Sequence, residues 1–201
     1  MNQRQDFKDW LAEKRELNEI PKYVDHDYIP FKPMKNKTLQ FLEAKWDELK
    51  LHNKSKNKDL DTYQIFINKR KTVAILGCSV WDDERGSWIL QIVSWISLEN
   101  SYTSNNHRRV IGVHTNEEPR GEGYTVSLYY SLVKNGINLE SDNEQYQGAK
   151  PLWKALSRLV NVEVYDESLK SILYKTYTNK IDDSEIWSKD SSKFLVTLRT
   201  T

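Results

Sequence analysis

The chain has 201 residues, which is long enough for one globular domain with a substantial core. Its 30 basic and 29 acidic residues leave a net charge of +1, which favours neither nucleic acid nor a membrane surface as the main ligand. The single cysteine, Cys78, excludes an internal disulfide bond, and no apolar run is long enough to span a bilayer. These features predict a cytoplasmic protein that does not enter a membrane.

The first 60 residues are predicted to form a helical segment packed on a main domain that spans residues 61–201. Apolar residues recur at helical spacing from Phe7 to Ile20, and Pro21 ends that pattern. A second helix is expected from about Lys37 to His52. Its apolar positions are Leu39, Phe41, Leu42, Trp46 and Leu49. The polar run "HNKSKNKDLD" that follows is typical of a linker.

From Thr62 onward the sequence favours strands. The runs "TYQIFIN", "TVAILGCSVW" and "SWILQIVSWISL" are rich in β-branched and aromatic residues, and "RRVIGVHT" predicts a fourth strand. A helix is expected over Tyr124 to Lys134, ended by Asn135-Gly136. Further expected elements are a strand at "INLES", a helix at "AKPLWKALSRL", and strands at "VEVYD" and "KFLVTLRT". This order predicts an α+β fold with a mostly antiparallel central sheet and crossover helices, preceded by two N-terminal helices.

The stretch "PRGEG" stands between the fourth strand and the helix that begins near Tyr124. A helix N-terminus presents free amides and the positive end of the helix dipole, and glycines let a phosphate approach the backbone closely. A plain turn between a strand and a helix uses the same residues. The local sequence leaves both interpretations open.

With its context, this stretch resembles the GCN5-related N-acetyltransferase (GNAT) family. The resemblance covers residues 62–201 and is strongest over "PRGEGYTVSLYYSLVKNGINLESDNEQYQGAKPLWKALSRL". Within it, "LESDNEQYQGAKPLWKAL" is most similar to GNAT-like proteins encoded by bacteriophages. The resemblance implies a GNAT-like sheet and acetyl-CoA as the candidate cofactor. Its pyrophosphate would be held by the loop and first helical turn, at Arg120, Gly121, Gly123 and Thr125.

Two positions depart from the family pattern. Thr125 stands where glycine or alanine is usual, and a β-branched side chain there is expected to crowd the cofactor or alter the helix packing. Trp153 stands where many members carry the tyrosine that protonates the leaving thiolate, and an indole N–H does not titrate near neutral pH. The remaining candidates for catalytic roles are His114, Glu117 and Glu118 as bases and Tyr146 or Tyr130 as an acid.

Other constellations of reactive side chains are weaker. The four histidines lack metal-ligand spacing with each other or with Cys78, so no metal site is expected. Arg108 and Arg109, in "NNHRRV", are typical of a solvated loop. The turn "WDDERGSW" predicts a cross-strand pair of Trp81 and Trp88, with an acidic tip available to a basic partner.

Three functions remain open, of which the third, a virion or structural role, is neither supported nor opposed by the sequence. In the first, the catalytic positions have drifted and the chain acts by binding a host protein, in counter-defence or host take-over. In the second, the chain is an acetyl-CoA-dependent N-acetyltransferase that acts on an amine of a protein or small molecule. Thr125 and Trp153 favour the first function, while Arg120 and the two glycines favour the second.

Overall fold

The fold is α+β, with a mostly antiparallel sheet and, within the described residues, three helices. The computed structural model describes residues 22–24, 35–52, 62–101, 105–115, 123–142, 144–146, 149–166, 168–177, 186–187 and 193–197. The expected first helix, residues 1–21, lies outside these ranges.

The helices are α1 (Leu39–Lys45), α2 (Tyr124–Lys134) and α3 (Ala149–Leu156). The strands are β1 (Lys22–Val24), β2 (Lys37–Thr38), β3 (Trp46–Leu49), β4 (Tyr63–Asn68), β5 (Val73–Asp82), β6 (Ser87–Asn100), β7 (His107–Thr115), β8 (Asn138–Glu140), β9 (Glu144–Tyr146), β10 (Val162–Asp166), β11 (Ser171–Tyr174) and β12 (Lys193–Thr197).

Ten of these strands form one sheet in the order β11-β10-β12-β8-β7-β6-β5-β4-β3, with β2 added beside β6. Strands β4 to β7 form an antiparallel meander, as expected from the sequence. The chain then crosses over through α2 to β8, which pairs with β7 in parallel. A separate pair joins β1 to β9, also in parallel.

The sheet has an apolar core on each face, because alternate residues of a strand point to opposite sides. On β4, Ile65 and Ile67 belong to the core that α2 and α3 cover, whereas Phe66 belongs to a smaller core on the other side. Leu42 of α1 packs into that smaller core. We call these the α2 core and the α1 core.

The predicted helix from Lys37 to His52 is wrong in extent, because only Leu39–Lys45 is helical. Thr38 caps this helix by accepting the amide N–H of Phe41 at 3.3 Å. From Trp46 the chain becomes strand β3 and pairs with β4. The apolar spacing fits a helix as well as a strand, and pairing with β4 from Trp46 to Leu49 decides between them. As a result, residues on both sides of position 60 share one sheet.

Two smaller differences concern the C-terminal part. Strand β11, which pairs with β10, was not expected from the sequence. Helix α3 ends at Leu156, and the amides of Arg158 and Leu159 then bond three residues back rather than four. The last strand is described only to Thr197.

Candidate functional site

Helix α2 begins directly after the glycine stretch. Its N-cap is Gly123, in the left-handed conformation with φ 83° and ψ 16°, which glycine adopts without a steric penalty. Within the described residues no side chain caps the helix, and its first turn contains no acidic residue. The carbonyl of Gly123 accepts the amide N–H of Ser127 at 3.0 Å. Arg120, Gly121 and Glu118 lie outside the described residues.

Thr125, in the first turn of α2, is tied to the sheet by hydroxyl contacts. Its Oγ1 lies 2.5 Å from Oγ1 of Thr115, at the end of β7, and 3.5 Å from Oγ of Ser94 on β6. Ser94 is fully buried, and its hydroxyl donates to the carbonyl of His114 at 3.0 Å. That bond uses the only proton of the Ser94 hydroxyl, so the two threonine protons serve the contacts among the three hydroxyls, and the short bond between Thr115 and Thr125 uses one of them. The side chain of Thr125 therefore anchors α2 to β6 and β7.

His114 lies on the opposite side of the sheet from Thr125. Its ring packs against Trp95, its cross-strand partner, with ring centroids 4.1 Å apart. Trp95 belongs to the α1 core, while the neighbouring Ser94 faces Thr125 and α2. The structure thus brings Gly123 and Thr125 together at the start of α2 and places the imidazole of His114 on the other face.

Tyr146, the candidate proton donor, and Trp153, which stands at the family's tyrosine position, are in different situations. Tyr146 belongs to β9, where its backbone pairs with Val24. Trp153 on α3 is only 2% exposed and packs edge-on against Tyr129, with centroids 5.9 Å apart. Burial, together with the nearby charge of Asp142, raises the pKa of Tyr129. Trp153 and Tyr129 are therefore core residues, and neither is poised to release a proton.

The sequence missed a buried charged cluster at the junction of β6, β7 and β8. Arg109 is 2% exposed, with its Nη2 3.1 Å from Oε2 of Glu99 and its Nε 3.7 Å from Oδ1 of Asp142. Glu140, opposite Arg109 on β8, is fully buried and accepts a hydrogen bond from the hydroxyl of Ser101. The interpretation of Arg109 as part of a solvated loop is wrong.

Arg109 occupies an inward-facing position of a central strand, and its place inside the predicted strand was the one signal of burial. At Arg109 strand β7 is paired with both β6 and β8 and the side chain is covered, although Val113 further along the same strand is 40% exposed. Because two carboxylates lie within ion-pair distance of the Arg109 guanidinium, its charge is already balanced. The cluster fixes the alignment of β6, β7 and β8 and does not favour an anionic ligand.

The hairpin between β5 and β6 carries the largest exposed aromatic side chains of the described residues. Trp81 and Trp88 are cross-strand partners, 51% and 54% exposed, with ring centroids 5.8 Å apart and planes at 73°. At the turn, Oδ1 of Asp82 accepts the amide N–H of Arg85 at 3.1 Å. Gly86 completes the turn at φ 56°. The predicted tryptophan pair is present. We call residues 81–88, which comprise this pair and the turn between the two tryptophans, the hairpin tip.

Comparisons of the chain with protein-family models, curated proteins and solved structures found no match. Among the described residues, no three His, Cys, Asp or Glu side chains lie close enough together to hold a metal ion. No helix in the described part of the chain is long and apolar enough to cross a membrane. A function therefore has to be argued from the residues and geometry of the chain itself.

Proposed function

We propose that this chain is a phage-encoded protein of GNAT-like fold that acts by binding a host protein, without transferring an acetyl group. The observation that carries this proposal is the exposed pair of Trp81 and Trp88 at the hairpin tip. Two half-exposed tryptophans side by side are costly to keep in water, and tryptophan is enriched among the residues that dominate protein interfaces.

The state of the expected catalytic positions supports the same proposal. Trp153 stands at the position of the family's proton-donating tyrosine and is packed into the α2 core. Thr125 is engaged with Thr115 and Ser94. His114 is stacked on Trp95 across the sheet from Thr125. Each of these side chains has a structural contact that accounts for it without an acyl-transfer role.

Calorimetric titration of acetyl-CoA into the purified chain tests the absence of cofactor chemistry. We expect no binding heat at millimolar acetyl-CoA. The variants Gly123→Asp and Gly136→Asp form a matched pair, because both glycines have φ 83° and lie at opposite ends of α2. Each is expected to cost roughly 1 kcal/mol of stability, from the left-handed conformation alone.

Micromolar binding that Gly123→Asp abolishes and Gly136→Asp preserves would contradict this part of the proposal. The added carboxylate would then repel a phosphate at the N-terminus of α2.

Retention of a host protein by the immobilised chain tests the binding function. We expect the double variant Trp81→Ala/Trp88→Ala to lose a protein that the wild-type chain retains. Leu169→Ala, which removes another exposed apolar side chain (62% exposed), should retain it. Equal retention by all three proteins would show that the hairpin tip is not the binding surface.

The second candidate function is acetyl-CoA-dependent N-acetyl transfer, which the geometry of Gly123 favours. A glycine N-cap at positive φ lets an anion approach the backbone closely at the positive end of the α2 dipole. The crossover from β7 through α2 to the parallel strand β8 is also in keeping with the GNAT-like fold that the sequence resemblance implies. The acetyl-CoA titration distinguishes the two functions.

A further inference from the structure

The hairpin tip presents aromatic ring surface that its own pairing does not cover. Trp81 and Trp88 lie directly opposite each other on β5 and β6, so their side chains are on the same face of the hairpin. Their planes meet at 73°, which makes the contact edge-to-face. In this arrangement each indole keeps at least one ring face that the other indole does not cover.

The turn beside these rings is negatively charged. Asp82, Asp83 and Glu84 supply three carboxylates against the single guanidinium of Arg85. Arg85 is already engaged, because its Nε lies 3.4 Å from Oδ2 of Asp82. The two remaining carboxylates, of Asp83 and Glu84, belong to exposed residues. The ring faces and the uncompensated negative charge occur within the same eight-residue stretch, Trp81 to Trp88.

We infer that the hairpin tip binds a cationic segment of the partner protein, one that presents arginine or lysine side chains. The electron-rich face of an indole attracts a cation placed over it, and arginine also stacks on aromatic rings. Asp83 and Glu84 complement the same charge and raise the rate of encounter. This inference rests on the proposed partner-binding function and specifies the chemistry of the partner.

The same carboxylates disfavour the other occupants of this surface. A nucleic acid would bring phosphates against Asp83 and Glu84. A second copy of the chain, related by two-fold symmetry, would bring these carboxylates close to their own copies, because such an interface uses the same patch on both molecules. A purely apolar peptide would cover the tryptophans and leave both carboxylates without a counter-charge.

The hairpin tip is also remote from the start of α2. Trp88 and Ser94, which contacts Thr125, are six residues apart on β6 and hence about 20 Å apart along the strand. Ligands at the two places can therefore be measured separately.

The test is a titration of the isotopically labelled chain with a synthetic hexapeptide of alternating arginine and glycine, followed through the indole N–H signals. The peptide with glutamate in place of arginine is the charge control. We expect the arginine peptide to shift the signals of Trp81 and Trp88, which Trp81→Phe and Trp88→Phe assign, and the glutamate peptide to shift neither. Affinity should fall about tenfold or more in Trp81→Ala/Trp88→Ala.

Two further variants separate the aromatic and charged contributions. Asp83→Asn/Glu84→Gln should lower the affinity for the arginine peptide several-fold and reduce the salt dependence of binding, because it removes the charges while keeping the side-chain size. Leu169→Ala should bind like the wild-type chain. The inference is overturned if the arginine peptide shifts neither indole, if the glutamate peptide binds equally well, or if Asp83→Asn/Glu84→Gln has no effect.

Sedimentation of the wild-type chain and of Trp88→Ala tests whether a second copy of the chain binds at the hairpin tip. A wild-type dimer that Trp88→Ala converts to monomer would overturn the inference in favour of a self-interface.

Failure of the inference differs from failure of the proposed function. Tight acetyl-CoA binding together with arginine-peptide binding would remove the proposed function and keep the cation site. Host-protein retention that depends on the tryptophans, without arginine-peptide binding, would remove the cation site and keep the proposed function.

Discussion

At the scale of single residues, Glu163 is the described carboxylate whose environment most clearly opposes ionisation. It lies on β10, opposite Val196 of β12. Burial raises its pKa, and the positive charges of Lys175 and His107 offset this only in part. The folded chain therefore holds the Glu163 proton more tightly than the unfolded chain does. This contribution to stability is present below the ordinary pKa of 4.5 and is lost as pH rises toward the folded-state pKa.

We predict that Glu163→Gln gains stability relative to the wild-type chain as pH rises from below the ordinary pKa of 4.5 through the folded-state pKa, because the amide escapes the cost of ionisation. The midpoint of thermal unfolding, measured for both proteins at each pH, gives the difference. Glu163→Asp, which keeps a titrating carboxyl group, should retain the wild-type pH dependence. A difference between Glu163→Gln and wild type that is constant with pH, or that moves in favour of wild type, would show that burial does not raise this pKa.

At the scale of elements, the change from helix to strand at Trp46 is the clearest feature. Helix α1 buries one residue fully, Leu42, and its neighbours are half-buried or exposed. A seven-residue helix has little stability of its own. Extending it through Leu49 would remove the pairing of β3 with β4, which aligns Trp46 with Asn68 and Leu49 with Ile65. The strand is favoured because it joins an existing sheet and places Trp46 against the α1 core and Leu49 against the α2 core.

Amide hydrogen exchange over residues 47–49 distinguishes the two structures. An outer strand pairs on one side, so we predict that protection alternates from residue to residue along β3. A helix from Lys37 to His52 would instead protect every one of these amides. The amides of β5, which is paired on both sides, serve as the internal reference for full protection. Continuous protection from Leu42 through Leu49 would contradict the strand assignment.

At the scale of the whole molecule, the sheet separates two cores, and strands β4, β5 and β6 contribute side chains to both. The α2 core holds most of the buried apolar side chains, and the α1 core is a smaller group on the other face. Adjacent residues of one strand pack alternately into the two cores, as Ile65 and Phe66 do on β4. Disturbing one core therefore changes strands that also line the other.

We predict that Leu42→Ala costs about 2–5 kcal/mol and leaves a single unfolding transition, because the side chain is fully buried against strands that both cores share. Phe41→Ala is the matched control. It removes a larger side chain from the same helix, but this residue is 46% exposed, so its cost should stay below that of Leu42→Ala. Denaturant unfolding followed by tryptophan fluorescence and circular dichroism gives both values.

Two separate transitions, or a larger cost for Phe41→Ala, would contradict this description. Two transitions would instead support an N-terminal segment, up to about residue 60, that folds apart from the main domain.

Much of the fold follows from local patterns. The bounds of α2 and β10 were predicted as the structure has them, and the meander from β4 to β7 was predicted in order. These elements have strong local signals: an amphipathic pattern ended by Asn135-Gly136, and β-branched runs separated by turns. The facing pair of Trp81 and Trp88 was also predictable, because a tight turn fixes which residues lie opposite each other.

The sequence by itself determined the α+β class, the meander, the helix after the glycine stretch and the aromatic hairpin, because each depends on residues close together in the chain. Only the tertiary structure decided that Trp46–Leu49 is a strand, that Arg109 is buried among carboxylates, and that His114 and Thr125 lie on opposite faces. Each of these depends on residues ten or more positions away: β4 for the first, Glu99 and Asp142 for the second, and the crossover to α2 for the third. The residue pattern within one segment does not indicate which distant segment packs beside it.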